Sequence, residues 1–215
     1  MQIEGRVGPQ AVTDGAQQPP RLGHSTELVT QDCHGRYHEA VYRGNVFTTS
    51  TTAAGIALVA ANASPLALNT GIPVLGLYNP PASGKNLSIL KCKLATVSGT
   101  PGGGFVWNVN ANQASNALVS TFTATQLNNM TFAAIGSVAK NLVNTAMTAS
   151  TVICTMLRPI GGPAAIAAGA GIYSLEEETA GEILVVPGNF LGIACVAVGT
   201  THVVSASITW EEIPV

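Results

Sequence analysis

The stretch HVVSASITWEE, residues 202–212, decides the fold class of this chain. Within it, apolar side chains alternate with mostly polar ones from Val203 to Glu211. Successive side chains of a β-strand point to opposite faces, so this period of two predicts a strand with one buried face and one solvated face. The buried face is expected to carry Val204, Ala206, Ile208 and Trp210.

Shorter apolar segments precede this strand and are separated by turns rich in proline and glycine. The segments predicted as strands are residues 37–49, 72–78, 86–98, 105–111, 150–160, 182–186 and 189–199. Residues 150–160 are predicted to be a buried strand that stops at Pro159. Many short strands, with no repeated helix between them, favour an all-β fold, an antiparallel β-sandwich or jelly roll, over a parallel α/β sheet.

The composition changes along the chain and predicts its domain organisation. Residues 1–31 are rich in Gln, Gly and Pro and have no apolar period, which predicts an extended N-terminal arm. Residues 32–215 are predicted to form the β-sandwich domain, with an irregular insertion around 111–149. Within that insertion, residues 124–143 have the spacing most typical of a helix.

The composition also implies a surface with few ionised groups. Charged residues make up 9% of the chain, against about 25% in ordinary soluble proteins. Much of the solvent-exposed surface must then consist of Ser, Thr, Asn, Gly and Ala, which gives little electrostatic repulsion between copies. We therefore expect the protein to self-associate.

The charges are segregated along the sequence. The span from Ala40 to Leu175 holds six basic residues and no acidic one, whereas the span from Glu176 to Val215 holds six acidic residues and no basic one. Two interpretations are open. A basic patch on one copy meets an acidic patch on the next, or the fold interleaves the two spans and the charges pair within one chain.

No motif of catalysis or metal binding is complete in the sequence. His34 and His38 have the spacing of a zinc-binding helix, but Gly35 stands where the H-E-x-x-H motif has its glutamate. These residues are predicted to form the solvated entrance to a strand, with a structural ion site formed by Cys33, His34, His38 and Glu39 as the alternative. The nucleophile motif G-x-S-x-G is absent, and the segments PPASGKN and TPGGG lack residues that a phosphate loop requires. We therefore expect no enzymatic activity and no cofactor.

Other classes of partner are also not indicated. The nine basic residues are scattered, so no direct binding of nucleic acid is expected. No apolar run approaches the length of a membrane span, and no secretory signal is visible, so assembly in a host cytoplasm is expected. The four cysteines, Cys33, Cys92, Cys154 and Cys195, lack the spacing of a metal site and are predicted to be reduced, buried thiols.

Three segments resemble structural proteins of tailed-bacteriophage virions. They are HGRYHEAVYRGNVF (residues 34–47), LYNPPASGKNLSILK (residues 77–91) and ITWEEIP (residues 208–214). The resemblance implies a β-sandwich or jelly-roll subunit that is present in many copies, as a homotrimer. It also implies a cement or decoration protein on the capsid exterior of the virion, with the major capsid protein as partner.

Alternative functions remain open from the sequence. A tail or neck component would share the arm and the sandwich. A carbohydrate-binding jelly roll would expose aromatic side chains on a concave face. A cupin-like enzyme would need a cluster of His and Glu ligands on its core strands.

Six residues are the candidates for intermolecular contacts. Arg21 lies in the predicted arm, and Tyr42 and Arg43 lie beside its junction with the sandwich. Trp210 is predicted to pack in the core, with an interface role as the alternative. Glu211 and Glu212 are predicted to lie at an exposed rim.

Overall fold

A computed structural model describes residues 6–7, 21–22, 35–66, 71–111, 126–134, 136–146, 154–162, 174–199 and 201–215. The chain divides into two compact units, Met1–Glu39 and Ala40–Val215. In the first unit, the two-residue strands β1 (Arg6–Val7) and β2 (Arg21–Leu22) pair in parallel. The extended arm over residues 1–31 stays a prediction, because most of it lies outside the described residues.

A short helix, α1 (His38–Tyr42), replaces the first part of the strand predicted over residues 37–49. It ends at Gly44, which has φ 73° and donates its N–H to the carbonyl of Val41. Glycine adopts this left-handed conformation without steric cost and commonly ends helices. The strand prediction is therefore wrong for residues 38–42, and β3 (Val46–Ser50) begins only after the glycine.

The second unit is nearly all β and contains two antiparallel sheets, consistent with the predicted β-sandwich. In the first sheet the strand order is β11 (Ser174–Val185), β6 (Lys85–Ser98), β13 (Val203–Pro214), β3 and β8 (Gln126–Asn128), with β4 (Ile56–Ala57) also paired to β13. In the second sheet the order is β10 (Thr155–Gly161), β7 (Phe105–Asn110), β12 (Phe190–Cys195), β5 (Leu75–Tyr78) and β9 (Lys140–Val143). A single 3-10 turn, Ala60–Asn62, precedes β5 among the described residues.

The main core lies between the two sheets. On β13 the predicted alternation is confirmed, since Val204, Ala206, Ile208 and Trp210 are buried and the residues between them are half-buried. These side chains share one cluster with Trp107, Leu191 and Ile193 of the second sheet. The ring of Phe47 stacks on Trp210 with 6.1 Å between the centroids.

The second sheet is buried on its other face as well. A separate cluster there contains Leu66, Tyr78, Val106, Leu142, Cys154, Phe190 and Ala194. Strands that are buried on both faces carry continuous apolar runs rather than alternation. This explains why the sequence of β12 is apolar throughout.

Two further predictions are corrected by the strands of the second unit. β10 continues through Pro159 to Gly161, and its residues Thr155–Leu157 are exposed rather than buried. A proline is tolerated here because β10 is an edge strand. The backbone on its outer side has no neighbouring strand and therefore needs no partner for its N–H groups. The described part of residues 124–143 forms β8 and β9 instead of a helix.

Candidate interaction surface

The predicted contact residues lie in different parts of the molecule. Tyr42 ends α1 with 70% of its surface exposed, and Arg43 beside it is also exposed. Arg21 belongs to β2 of the N-terminal unit, where only its backbone is described. Trp210 is fully buried, as the core prediction expected. The contact roles of Arg21, Tyr42, Arg43 and Glu211 stay predictions.

Glu212 is not at the rim, which corrects the prediction. Its side chain is fully buried and forms an ion pair with Lys85 at 2.9 Å. The other carboxylate oxygen accepts hydrogen bonds from the Ser137 hydroxyl at 2.6 Å and from the Val138 N–H at 2.9 Å. The period of two on β13 places Glu212 on the same face as Trp210, whereas Glu211 is half-buried on the opposite face.

The segregated charges meet within one chain. Lys91 and Lys93 both pair with Glu176, at 2.7 and 3.1 Å, and hold the pKa of that carboxyl below its usual range through these hydrogen bonds. Arg158 pairs with Glu177 at 2.7 Å and with Glu182 at 2.8 Å. Together with the pair between Lys85 and Glu212, each of these contacts joins the basic span to the acidic span. The intramolecular interpretation is therefore confirmed for these charges.

Glu177 also connects the two sheets. Glu176 and Glu178 are exposed on the outer face of β11, whereas Glu177 points inward and accepts a hydrogen bond from Nε1 of Trp107 at 2.8 Å. Trp107 belongs to β7 and Arg158 to β10, so one carboxylate on the first sheet binds two strands of the second. The arrangement closes the side of the sandwich where β10 and β11 lie.

No three side chains of His, Cys, Asp or Glu in the described ranges come together as metal ligands. Cys92, Cys154 and Cys195 are free and buried, and burial raises the pKa of each thiol, that of Cys154 to about 12. Such thiols stay protonated at neutral pH. Of the four residues of the alternative ion site, His38 and Glu39 lie in α1, whereas Cys33 and His34 lie outside the described residues.

His202 is the buried histidine at the start of β13. Its Nε2 lies 3.2 Å from the Thr96 hydroxyl, and burial lowers its pKa below the usual value. The ring lies 6.1 Å from that of Phe105, in a tilted arrangement. Its environment is that of a packed core side chain.

None of the helices in the described part of the chain has the length and apolar content to cross a membrane.

A turn with two exposed apolar side chains follows β8, which is an edge strand of the first sheet. We call residues 128–133 the β8 turn. It exposes 48% of Met130 and 77% of Phe132. Asn128 fixes the turn, because its Oδ1 accepts hydrogen bonds from the N–H groups of Met130 and Thr131 at 3.0 and 3.2 Å. Its Nδ2 donates to the carbonyl of Gly44 at 2.6 Å, which anchors the turn beside the start of β3.

Phe132 has a backbone conformation that is unfavourable for a large side chain. Its φ is 56°, and its N–H donates to the carbonyl of Asn128 at 2.8 Å. A non-glycine residue in such a conformation costs on the order of 1–3 kcal/mol and is retained when the surrounding structure imposes it. The sequence did not indicate this site, since residues 124–143 have the spacing most typical of a helix. The pair Asn128–Asn129 was the available signal, because asparagine favours turns.

An apolar groove lies at the opposite edge of the same sheet. We call it the edge groove; its volume is about 290 Å³. The apolar residues that line it include Val109, Leu157, Ile183, Leu184, Phe190 and Leu191, and the polar residues are Asn110, Glu182 and Asn189. Leu157 on β10 and Leu184 on β11 are about half exposed. A groove of this kind accepts an apolar side chain.

The solvated face of the first sheet carries a shallow polar depression of about 400 Å³. Its lining includes Ser50, Lys93, Ala95, Glu176, Ser205 and Ser207. These residues lie on four neighbouring strands, since Ser207 pairs in register with both Ser50 and Lys93, and Lys93 pairs with Glu176. The face is therefore a flat array of small hydroxyl groups with one charge cluster.

Comparison of the chain with protein-family models, with curated proteins and with solved structures finds no match.

Proposed function

We propose that this chain is a virion structural protein, a homo-oligomeric cement subunit that binds the exterior of a bacteriophage capsid. The observation that carries the proposal is the strand order of the two sheets. The resemblance of residues 34–47, 77–91 and 208–214 to virion proteins gives the class, and the strand order supports it independently.

The strand order supports a jelly roll in particular. Apart from the short strands β4, β8 and β9, the two sheets consist of eight strands: β3, β5, β6, β7, β10, β11, β12 and β13. The first of them pairs with the eighth, the second with the seventh, the third with the sixth and the fourth with the fifth. This is the pairing of one long hairpin rolled into two sheets. Jelly rolls are typical of viral capsid proteins, lectins and cupins.

The surface chemistry favours the virion class among these three. The ion pairs described above satisfy charges within the chain, which leaves Ser and Thr on the solvated sheet face to pack beside neighbouring subunits. A carbohydrate-binding jelly roll is expected to expose aromatic rings on a concave face. The residues lining the polar depression include no aromatic side chain.

Light scattering with and without capsids tests the proposal. The purified protein is added to empty, expanded capsids assembled from the phage's own major capsid protein, and the mass gained per capsid is measured. We expect saturable binding at a fixed number of copies per shell and a raised melting temperature of the shell. A protein that ignores capsids and binds sugars instead would overturn the proposal.

The predicted arm supplies a matched variant. Deleting residues 2–31 is expected to leave a folded oligomer with the mass of its shortened chains, because the sheets lie in the unit Ala40–Val215. An arm that orders across a neighbouring subunit adds contact area on the shell, so the deletion should lose capsid binding. Undiminished binding would remove the arm from the mechanism.

A further inference from the structure

We propose that Phe132 in the β8 turn of one copy inserts into the edge groove of a second copy, in a head-to-tail contact that closes into a ring. The inference rests on the self-associating part of the proposed function. It names the two surfaces through which copies of this chain meet, and it does not depend on what the ring binds.

The groove has the size and chemistry that the ring of Phe132 requires. An apolar cavity of about 150 Å³ lined by Leu, Ile and Phe is large enough for benzene. The edge groove has about 290 Å³, and its lining is mainly apolar, with Leu, Ile, Val and Phe residues, although Asn110, Glu182 and Asn189 also line it. It therefore has room for the phenyl ring and for part of Met130, which is exposed beside it.

The two surfaces lie at the same height on opposite edges of one sheet. Asn128, which fixes the turn, pairs in register with Phe47; Phe47 pairs with Trp210, Trp210 with Ile89, and Ile89 with Ile183 of the groove. This single row crosses five strands, or about 19 Å at about 4.8 Å per strand. A head-to-tail contact closes into a ring when the rotation between successive copies closes, and it continues as an open filament when it does not. Two surfaces at the same height along the strands are compatible with a ring.

The turn is already fixed in the shape that the contact needs. Asn128 holds it through its side chain and through backbone hydrogen bonds with Phe132 and Ala133, at 2.8 and 3.0 Å. A turn whose backbone is fixed before binding loses little backbone entropy when a partner covers it. Burial by a partner explains why a phenylalanine is retained at this strained, exposed position.

The side chain of Phe132 alone is too small to hold two subunits together. A stable interface buries more than about 1,000 Å² in total, whereas an aromatic side chain contributes about 150–250 Å². The flanking parts of the two sandwich edges must supply the remainder, with Phe132 as the central anchor. In a ring, each subunit makes this contact twice, once with its turn and once with its groove.

Three variants test the contact by multi-angle light scattering over a concentration series. Phe132→Asn removes the ring and places asparagine in a backbone conformation that it tolerates. Leu184→Arg places a long, charged side chain in the groove, at a position that is about half exposed in the wild-type protein. Val97→Asn is the matched control, because Val97 is exposed to a similar degree on β6, away from both surfaces. We expect wild-type protein and Val97→Asn to form the ring, and the other two variants to weaken self-association at least tenfold.

Mixing the two defective variants separates this geometry from a symmetric contact. The Phe132→Asn copy keeps an intact groove and the Leu184→Arg copy keeps an intact turn, so an equimolar mixture should form a heterodimer. A contact of turn against turn would give no such rescue. The melting temperature of Phe132→Asn should equal or exceed that of wild type, which excludes misfolding. Met130→Ser provides a second, milder weakening of the same anchor.

The inference is overturned by a monomeric wild type, by an unchanged oligomer of Phe132→Asn, or by a mixture that stays monomeric. Its failure is distinguishable from failure of the proposed function. A wild-type ring that these variants disrupt, but that ignores capsids, would refute the cement function and leave the contact standing. If the Phe132→Asn protein still forms the wild-type oligomer and still binds capsids, the contact is refuted and the cement function stands.

Discussion

At the scale of single residues, Glu212 joins three separate parts of the sandwich. Its carboxylate binds Lys85 at the start of β6 and the segment at Ser137 and Val138, between β8 and β9. Strand β13 itself provides the third part. A carboxylate that is fully buried needs these partners, because an uncompensated buried charge is strongly destabilising.

We predict that Glu212→Gln lowers the free energy of unfolding by about 1–3 kcal/mol. The amide retains the size of the side chain but loses the attraction to Lys85 and one of the strong acceptors. Lys85 is partly exposed, so solvent screening keeps the loss in the lower part of this range. Urea denaturation at neutral pH measures the change.

Glu211→Gln is the control for this substitution, since Glu211 is the sequence neighbour on the half-buried, opposite face. Its effect should stay within about 0.5 kcal/mol, as for most surface substitutions. Equal losses in the two variants would mean that the buried network around Glu212 contributes nothing specific.

At the scale of the strands, the pairing of β5 with β12 depends on two glycines. Gly76 and Gly192 stand opposite each other in register. A Cβ on either residue would lie 2.8 Å from the ring of Phe190, which is itself buried. The ring therefore occupies the space that two side chains would fill on an ordinary strand pair.

We predict that Gly76→Ala destabilises the fold by about 1–3 kcal/mol through overpacking against Phe190. The urea midpoint of the variant measures the loss. Gly35→Ala is the control, because a Cβ there meets nothing within 4 Å. An unchanged midpoint for Gly76→Ala would show that Phe190 is free to move aside.

The strands differ in how far their sequence reveals them. β13 and β6 were predictable, because each has one solvated face and therefore alternates. The doublet Ile89–Leu90 interrupts the alternation in β6, and the pairing on both sides of β6 shifts register at Leu90. β8 and β9 could not be predicted, because three or four residues are too few to establish a period against the helical spacing around them.

At the scale of the whole molecule, the charges that are segregated along the sequence pair with one another within the fold. The acidic β11 lies beside the basic β6, so Glu176 meets Lys91 and Lys93 on the solvated face. Charges that pair in this way are poorly suited to attract a second copy. In the proposed oligomer, contacts between copies therefore depend on apolar groups such as Phe132 and the edge groove.

We predict that self-association is nearly insensitive to sodium chloride. Between about 0.1 M and about 1 M the Debye length falls from about 10 Å to about 3 Å, which would abolish a contact between a basic and an acidic patch. The apolar contact should change in affinity by less than about threefold over that range. Sedimentation at several salt concentrations distinguishes the two, and a steep loss of association would favour the patch interpretation.

The candidate site was less predictable than the fold. Burial of Trp210 followed from the strand period, and so did the face of Glu212, although an acidic residue was expected to be solvated. Exposure of Phe132 could not be inferred, because the turn that carries it is anchored by a hydrogen bond from Asn128 to the carbonyl of Gly44, a residue far away in the sequence. The edge groove likewise exists only where β10 and β11, from two different sheets, lie side by side.

The position of β13 has a consequence for how the polypeptide is made. This strand lies between β3 and β6, yet it is synthesised more than a hundred residues after both of them begin. Until it emerges, the inner edges of β3 and β6 expose unpaired amides and carbonyls to other nascent chains. The first sheet can therefore close only late in translation, and protection by chaperones matters most during that interval.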